Sequence, residues 1–125
     1  MTVRGLRRAH GAGFLRSRHR LVLCNAPPDD AVRIADALVR ERLAACVNIL
    51  PGVQSVYQWK GEVAHDTEHA LLIKTTAARM PALTARVRAL HPYELPELIS
   101  LPLHPTEGIA AYLDWVTAQT AARGA

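Results

Sequence analysis

The chain has 125 residues, half of them hydrophobic, with 15 Lys and Arg, 11 Asp and Glu, six His and two Cys. This length fits one globular domain, and no apolar run approaches the roughly 20 residues of a transmembrane helix. The net charge of +4 comes from residues 1–20, which hold six Arg and no acid, so that 9 basic and 11 acidic side chains remain for the rest. The composition therefore excludes a basic nucleic-acid-binding body, and predicts neither a nucleic-acid nor a membrane partner.

Residues 1–20 are predicted to be a disordered basic extension, because they show neither helical nor strand periodicity. The pair Arg7-Arg8 superficially resembles a twin-arginine signal, but further Arg residues at 16–20 occupy the place of the apolar segment that such a signal needs. An organelle transit peptide is the alternative, because the segment is rich in Arg and free of acids.

The first predicted elements are a strand and a helix. Leu21–Asn25 is a short apolar run, typical of a buried strand. The Pro and Asp residues at 27–30 signal a helix start. An apolar stripe at helical spacing follows, formed by Ala31, Ile34, Ala35, Leu38 and Val39.

A long hairpin is predicted next. Ala44–Trp59 reads as a strand that is bent at Pro51-Gly52, since Pro removes a ladder donor and Gly has no side chain to pack. Lys60-Gly61 is the turn, and Glu62–Thr75 is the return strand.

This hairpin predicts a homo-oligomer. Its sixteen-residue first strand would span about 53 Å if straight, whereas a compact domain of this size has a diameter of roughly 33 Å. The arm should therefore protrude and pack on a sister subunit, with Tyr57 and Trp59 in the interface. A hairpin curled within a monomer is the alternative.

The second half repeats the pattern. A second helix has Pro81 in its first turn and ends before the stiff loop His91–Pro96. Glu97–Leu103 is a last strand, which Pro102 restricts to a sheet edge or a bulge, and Thr106 opens a third helix.

The element order predicts an α+β fold, a ferredoxin-like βαββαβ sandwich with a long central hairpin and an extra C-terminal helix. A single domain is expected over residues 21–120, and residues 121–125 are expected to fray. Two Cys without a disulfide framework predict a cytoplasmic protein.

Cys24 and His91 are the candidate metal ligands. A thiolate suits Cu(I), but free Cys is usually a small buried apolar residue. His91 offers an imidazole, or it closes a helix C-terminus favourably with the dipole. A nucleophilic Cys24/His91 pair is conceivable, but no third group, nucleophile elbow or phosphate loop accompanies it, so we predict no enzymatic activity.

A second group combines aromatic and charged side chains. It could line a small-ligand cleft between subunits, or serve as interface anchors with Lys74 paired to Glu97 or Glu68. Its members are Tyr57, Trp59, Lys74, Tyr93, Glu94, Glu97 and Trp115.

Six strings in order resemble the CutA divalent-cation-tolerance family. They are LVLCNAP at 21–27, LAACVNI at 43–49, YQWKGE at 57–62, LIKT at 72–75, HPYELPE at 91–97 and YLDW at 112–115. The resemblance implies a very stable homotrimer of ferredoxin-like subunits whose hairpins wrap their neighbours, similar to PII signalling proteins. It also implies divalent-metal tolerance with copper binding, and no established catalysis.

The resemblance carries over to two residues. Cys24 matches the Cys implicated in copper binding, and His91 matches the second of two adjacent His in some members. Leu90 replaces the first His, which leaves a site copied from those members incomplete. We therefore expect a cytoplasmic, non-enzymatic homotrimer that binds copper or another divalent ion, which folding does not require. The alternatives are a PII-like module that binds a small anionic metabolite between subunits, and a scaffold without ligand.

Overall fold

The computed structural model describes residues 16–122, which form one four-stranded sheet with three α-helices. The strands are β1 (His19–Ala26), β2 (Cys46–Trp59), β3 (Glu62–Thr76) and β4 (Ile99–Pro102); the helices are α1 (Pro28–Arg40), α2 (Met80–Leu90) and α3 (Ala110–Gln119), with a 3₁₀ turn at Ala77–Arg79 before α2. The sheet order is β2-β3-β1-β4, and every neighbouring pair is antiparallel. This topology confirms the predicted α+β, ferredoxin-like fold.

One face of the sheet forms the core with α1 and α2. Side chains alternate between the two faces of a strand, and the fully buried positions of β1 and β3 meet the apolar stripes of the helices. This core includes Val22, Cys24, Leu71, Ile73, Ile34, Leu38, Leu83 and Val87. Each large side chain buried in this way stabilises the fold by about 1.5–3 kcal/mol.

The other face of the sheet is largely uncovered by helices. Residues that lie directly opposite each other on neighbouring strands point to the same face of the sheet. Leu21 lies opposite Leu101, and Leu23 lies opposite both Leu72 and Ile99, so these side chains share the face away from the core. We call this surface the open face, formed by Leu21, Leu23, Leu50, Leu72, Ile99 and Leu101. α3 contacts only one end of it, where Nε2 of His19 lies 2.8 Å from the hydroxyl of Thr117.

The arm, residues 53–68 of the hairpin, is set by a bulge and a tight turn. The β2–β3 register shifts between Leu50 and Val53, where Gly52 has a φ of 72°. This shift changes which residues of β2 point to the open-face side, from the even positions before it to the odd positions after it. Lys60 and Gly61 both have positive φ, 49° and 84°, as a type I′ turn requires. The predicted bend and turn are therefore confirmed.

Several element boundaries differ from prediction; β2 begins at Cys46 rather than Ala44, and β3 ends at Thr76 rather than Thr75. β1 begins at His19, because His19 and Arg20, which the sequence assigned to the extension, pair with Thr76 and Thr75. Residues 1–15 of that extension, and residues 123–125 of the tail, lie outside the described residues.

The last strand and the third helix are both shorter than predicted. β4 spans Ile99–Pro102 rather than Glu97–Leu103, because its pairing to β1 ends at Leu23–Ile99. α3 begins at Ala110 rather than Thr106, since Gly108 has a φ of 103°, which no right-handed helix accommodates. Pro102 lies on an edge strand, as predicted.

Two arginines fix the ends of the later helices. The guanidinium of Arg33 donates to the carbonyl of Leu90, the last residue of α2, at 2.7 Å. Arg42 donates to the carbonyls of Ala118 and Ala121 at the end of α3, at 2.8 and 2.9 Å. A cation at a helix C-terminus is favourable with the dipole, so Arg33 helps to set the position of the loop that follows α2. No helix within residues 16–122 has the length and hydropathy to span a membrane.

Candidate functional site

A cleft of about 930 Å³ lies between the arm and the loop that connects α2 to β4. The arm supplies Tyr57 and Trp59, and the loop supplies Tyr93, Glu94 and Glu97. These five members of the sequence-predicted group therefore line one cleft. Its inner end is closed by Asn25 at the end of β1 and by Glu68 at the base of the arm.

The two remaining members of the group lie elsewhere. Nζ of Lys74 is 4.0 Å from the sulfur of Cys46, and Trp115 packs near Tyr112 on α3 with ring centroids 5.6 Å apart. Within residues 16–122, Lys74 pairs with neither Glu97 nor Glu68. Within one chain the predicted ion pair with Glu68 does not form, because Lys74 lies six residues, about 20 Å, along β3 from Glu68.

Glu68 is the most buried acid of the cleft, with only 5% of its surface exposed. The hydroxyl of Tyr93 donates to its Oε2 at 2.8 Å. Burial, and then the bond to Glu68, raise the pKa of Tyr93, so this hydroxyl keeps its proton. No Lys, Arg or His of the described chain pairs with Glu68. Since a buried carboxylate without a basic partner is costly, the inner end of the cleft favours a cation.

Cys24 is fully buried on the core face of β1, with its sulfur 3.8 Å from the carbonyl of Asn25. Burial, and then the nearby charges of Glu97 and Glu68, raise the pKa of the Cys24 thiol to about 12. The thiol is therefore protonated at physiological pH. In that form Cys24 acts neither as a nucleophile nor as a soft metal ligand, because both roles require the thiolate.

Both ring nitrogens of His91 are occupied. Its Nε2–H donates to the carbonyl of Asn25 at 2.7 Å, and its Nδ1 accepts from the backbone N–H of Tyr93 at 3.2 Å. Because one partner can only accept and the other can only donate, the ring is fixed as the neutral Nε2–H tautomer. A metal ion would have to displace one of these bonds. No cluster of three or more His, Cys, Asp or Glu suited to a metal ion occurs in residues 16–122.

Sequence reasoning missed the roles of Glu68 and Asn25. Glu68 was considered only as a partner of Lys74, and nothing local to the sequence signals its bond to a tyrosine 25 residues away. Two further histidines lie on β3, where His65 is opposite Val56 in the arm and His69 is opposite Ala26.

The raised pKa of Cys24 predicts a loss of stability in alkali. Below pH 9 the thiol is protonated in the folded and unfolded chains alike, but between pH 9 and about 12 only the unfolded chain releases the proton. We expect Cys24 to lower the free energy of unfolding by as much as about 1.4 kcal/mol per pH unit in this window. Guanidinium midpoints at pH 8 and pH 10 should therefore fall more steeply for the wild type than for Cys24→Ala. Equal falls in the two proteins would contradict the burial argument.

The sheet, the helix pair on its core face and the long bent arm define a ferredoxin-like α+β protein. The family model described as CutA1 divalent ion tolerance protein matches residues 20–119. The chain therefore belongs to the CutA1 divalent ion tolerance family. The resemblance to the CutA family that was inferred from six sequence segments is therefore confirmed.

Relatives and solved structures agree with this assignment. The divalent-cation tolerance protein CutA of Thermus thermophilus is 52% identical over 101 residues, which cover 80% of this chain and 96% of that protein. Protein CutA of Mus musculus is 41% identical over 109 residues, 86% of this chain and 60% of its own length. The structure of the Thermus thermophilus protein superposes with a TM-score of 0.78 at 51% identity, over 82% of this chain and 99% of that one. A PII-like protein CutA from Nostoc sp. PCC 7120 gives a TM-score of 0.78 at 39% identity, covering 82% and 97% of the two chains.

Proposed function

We propose that this protein is a non-enzymatic homotrimer that binds a divalent or copper ion and acts in the response to metal ions. The observation that carries the metal-binding part is the acidic cleft, in which buried Glu68 has no basic partner among the described residues. Glu94 and Glu97 line the same cleft. Carboxylate oxygens are preferred ligands of hard divalent ions. Because no three such ligands converge within residues 16–122, the ion would complete its coordination with water.

The open face supports the oligomer. Leu50, Ile99 and Leu101 are exposed on it, although they are large apolar side chains on a sheet. On the arm, Val56, Tyr57 and Trp59 are also exposed. Apolar surface this extensive is typical of an interface rather than of a free subunit. The number of three subunits comes from the family resemblance.

The charge of the cleft favours a cation over the anionic metabolite of the PII-like alternative. No Lys, Arg or His is among the described residues that line the cleft, and Lys60 at the tip of the arm is paired with the lining residue Glu94 at 3.7 Å. Lys74, which the sequence placed in the same group as the cleft residues, does not line the cleft. An anion would therefore face three carboxylates.

Cys24 and His91 remain the proposed ligands of a copper ion, but both side chains would have to change their bonding to hold it. Cu(I) would have to displace the Cys24 proton and one hydrogen bond of His91. With two protein ligands, the site would be linear or completed by another group. The free state of both cysteines is compatible with a reducing compartment, which supports a cytoplasmic location.

Calorimetric titration with Zn(II), Cu(II) and Cu(I) tests the proposal on the assembled protein. We expect Glu68→Gln to weaken Zn(II) and Cu(II) binding at least tenfold, about 1.4 kcal/mol. We expect Cys24→Ala to weaken only Cu(I) binding, by at least tenfold, without changing the oligomeric mass. Glu107→Gln is the control, because Glu107 is exposed beside His104 outside the cleft. Absence of metal binding by the wild type would refute the cation proposal, and an unaltered Cu(I) affinity would remove Cys24 from the site.

A further inference from the structure

The turn that ends α1 has the hydrogen bonds of a Schellman motif, in which the residue just after the helix takes a left-handed conformation. The N–H of Leu43 donates to the carbonyl of Leu38 at 2.9 Å, and the N–H of Arg42 donates to that of Val39 at 3.1 Å. Leu38 and Leu43 belong to one buried cluster, which is the apolar contact that commonly accompanies this motif. The left-handed residue is Arg42, with a φ of 60°.

Arginine is an unfavourable residue for this backbone position. Glycine takes the left-handed conformation without steric cost, whereas the Cβ of an arginine crowds the following carbonyl. The turn alone would therefore form more readily with glycine at position 42. What only the arginine provides is its guanidinium, which donates from Nε to the carbonyl of Ala121 at 2.9 Å and from Nη2 to that of Ala118 at 2.8 Å. These bonds join the end of α1, on the core face, to the end of α3.

Few side chains of α3 are buried within the single chain. Val116 is the buried residue of the helix, and Thr120, which follows the helix, places its hydroxyl 3.5 Å from that of Thr76. Tyr112 and Trp115 are each 43% exposed. A helix that is apolar around its circumference is normally covered on all sides. The exposed side of α3 therefore continues the apolar surface of the open face.

We propose that Arg42 is a latch that fixes the C-terminal end of α3 to the subunit, and that the strained backbone at this position is retained because the guanidinium has to reach α3 from there. The last carbonyls of a helix have no partner within it, and a charged donor binds them more strongly than a neutral one. The closed latch holds Tyr112 and Trp115 where a sister subunit packs on them. Arg42 is thus a positioning residue for the interface. The latch itself is independent of assembly, and its effect on the interface rests on the proposed homotrimer.

Hydrogen exchange of the full-length protein, resolved by mass spectrometry into peptides of α1, β3 and α3, tests the latch. Arg42→Gly removes the guanidinium and supplies the residue that best suits the turn. We expect the amides of α3 to exchange about tenfold faster than in the wild type, because the helix opens locally. The amides of α1 and β3 should exchange no faster, which separates release of α3 from a general loss of stability.

Two further variants separate the guanidinium from its charge. Arg42→Lys keeps the charge and the backbone strain but loses the paired donors, so we expect exchange of α3 between that of the wild type and that of Arg42→Gly. Arg40→Gln is the matched control, because Arg40 is exposed on α1 and bonded to Asp36 of the same helix. This control should leave exchange of α3 unchanged.

Subunit exchange measures the consequence for the interface. Unlabelled and isotope-labelled assemblies are mixed, and the mixed species are followed by native mass spectrometry. We expect Arg42→Gly to exchange subunits about tenfold faster than the wild type, since a mobile α3 weakens the surface on which the sister subunit packs. A wild type that is monomeric would refute the homotrimer, and hydrogen exchange of α3 would still decide the latch.

Three results would count against the inference. Equal exchange of the α3 amides in the wild type and Arg42→Gly would show that the guanidinium does not hold the helix. Equal acceleration in α1, β3 and α3 would show that Arg42 stabilises the whole fold rather than α3. Faster exchange of α3 with an unchanged rate of subunit exchange would overturn the role in the interface and leave the latch standing.

Discussion

A Leu23→Glu substitution is expected to convert the assembled protein into single chains of 13.7 kDa. Leu23 lies in the middle of the open face, opposite Leu72 on one side and Ile99 on the other. If a sister subunit covers this face, the new carboxylate must be buried among leucines, which costs several kcal/mol. The folded core lies on the opposite side of the sheet and should be preserved.

Light scattering at micromolar concentration measures the outcome. We expect the wild type at about three times the mass of one chain, and Leu23→Glu at one. Val32→Glu provides the matched control, because Val32 is 55% exposed on α1, on the side of the sheet away from the open face. A wild type that is itself monomeric, or a Leu23→Glu variant that retains the wild-type mass, would refute the interface.

An Ile73→Ala substitution is expected to cost about 2–5 kcal/mol of unfolding free energy. Ile73 is fully buried and lies opposite Val22 and Val47, at the point where β3 joins the core strands under the helices. Its truncation removes three carbons from a close-packed interior and leaves a cavity.

The denaturation midpoint measures this loss at one fixed protein concentration, because the stability of an oligomer depends on concentration. Val32→Ala is the control, since Val32 is 55% exposed on α1, away from the arm and the open face. A loss below about 1 kcal/mol for Ile73→Ala would mean that the core relaxes around the gap.

Local chemistry made much of the fold predictable. The bend at Pro51-Gly52 and the turn at Lys60-Gly61 were both found from the sequence, because Pro and Gly act through their own backbone geometry. The start of α3 was missed because the positive φ of Gly108 is not fixed by its neighbours in the sequence.

The site was harder to predict because long-range contacts determine its chemistry. His91 has two satisfied ring nitrogens because Asn25, 66 residues earlier, ends its strand beside it. Cys24 belongs to the core because it lies on the same face of β1 as Val22. The sequence does not show which face that is, because every residue of the run Leu21–Cys24 is apolar and no polar residue marks the exposed positions. Five of the seven cleft candidates were brought together, and distance along β3 separated Lys74 from them.

The bulge at Pro51-Gly52 adds one residue to β2 and leaves the pairing on either side of it in step with β3. Three steps along β2 match two along β3 there, which keeps Tyr57 and Trp59 on the side of Glu68. Deleting Gly52 alone would give a regular ladder with Val53 still opposite Glu68, so both rings would stay on that side, but the local bend and extra twist of the strand would be lost. In descendants of this chain, loss of this one residue should therefore be tolerated by the strand pairing and act only on the direction in which the arm points.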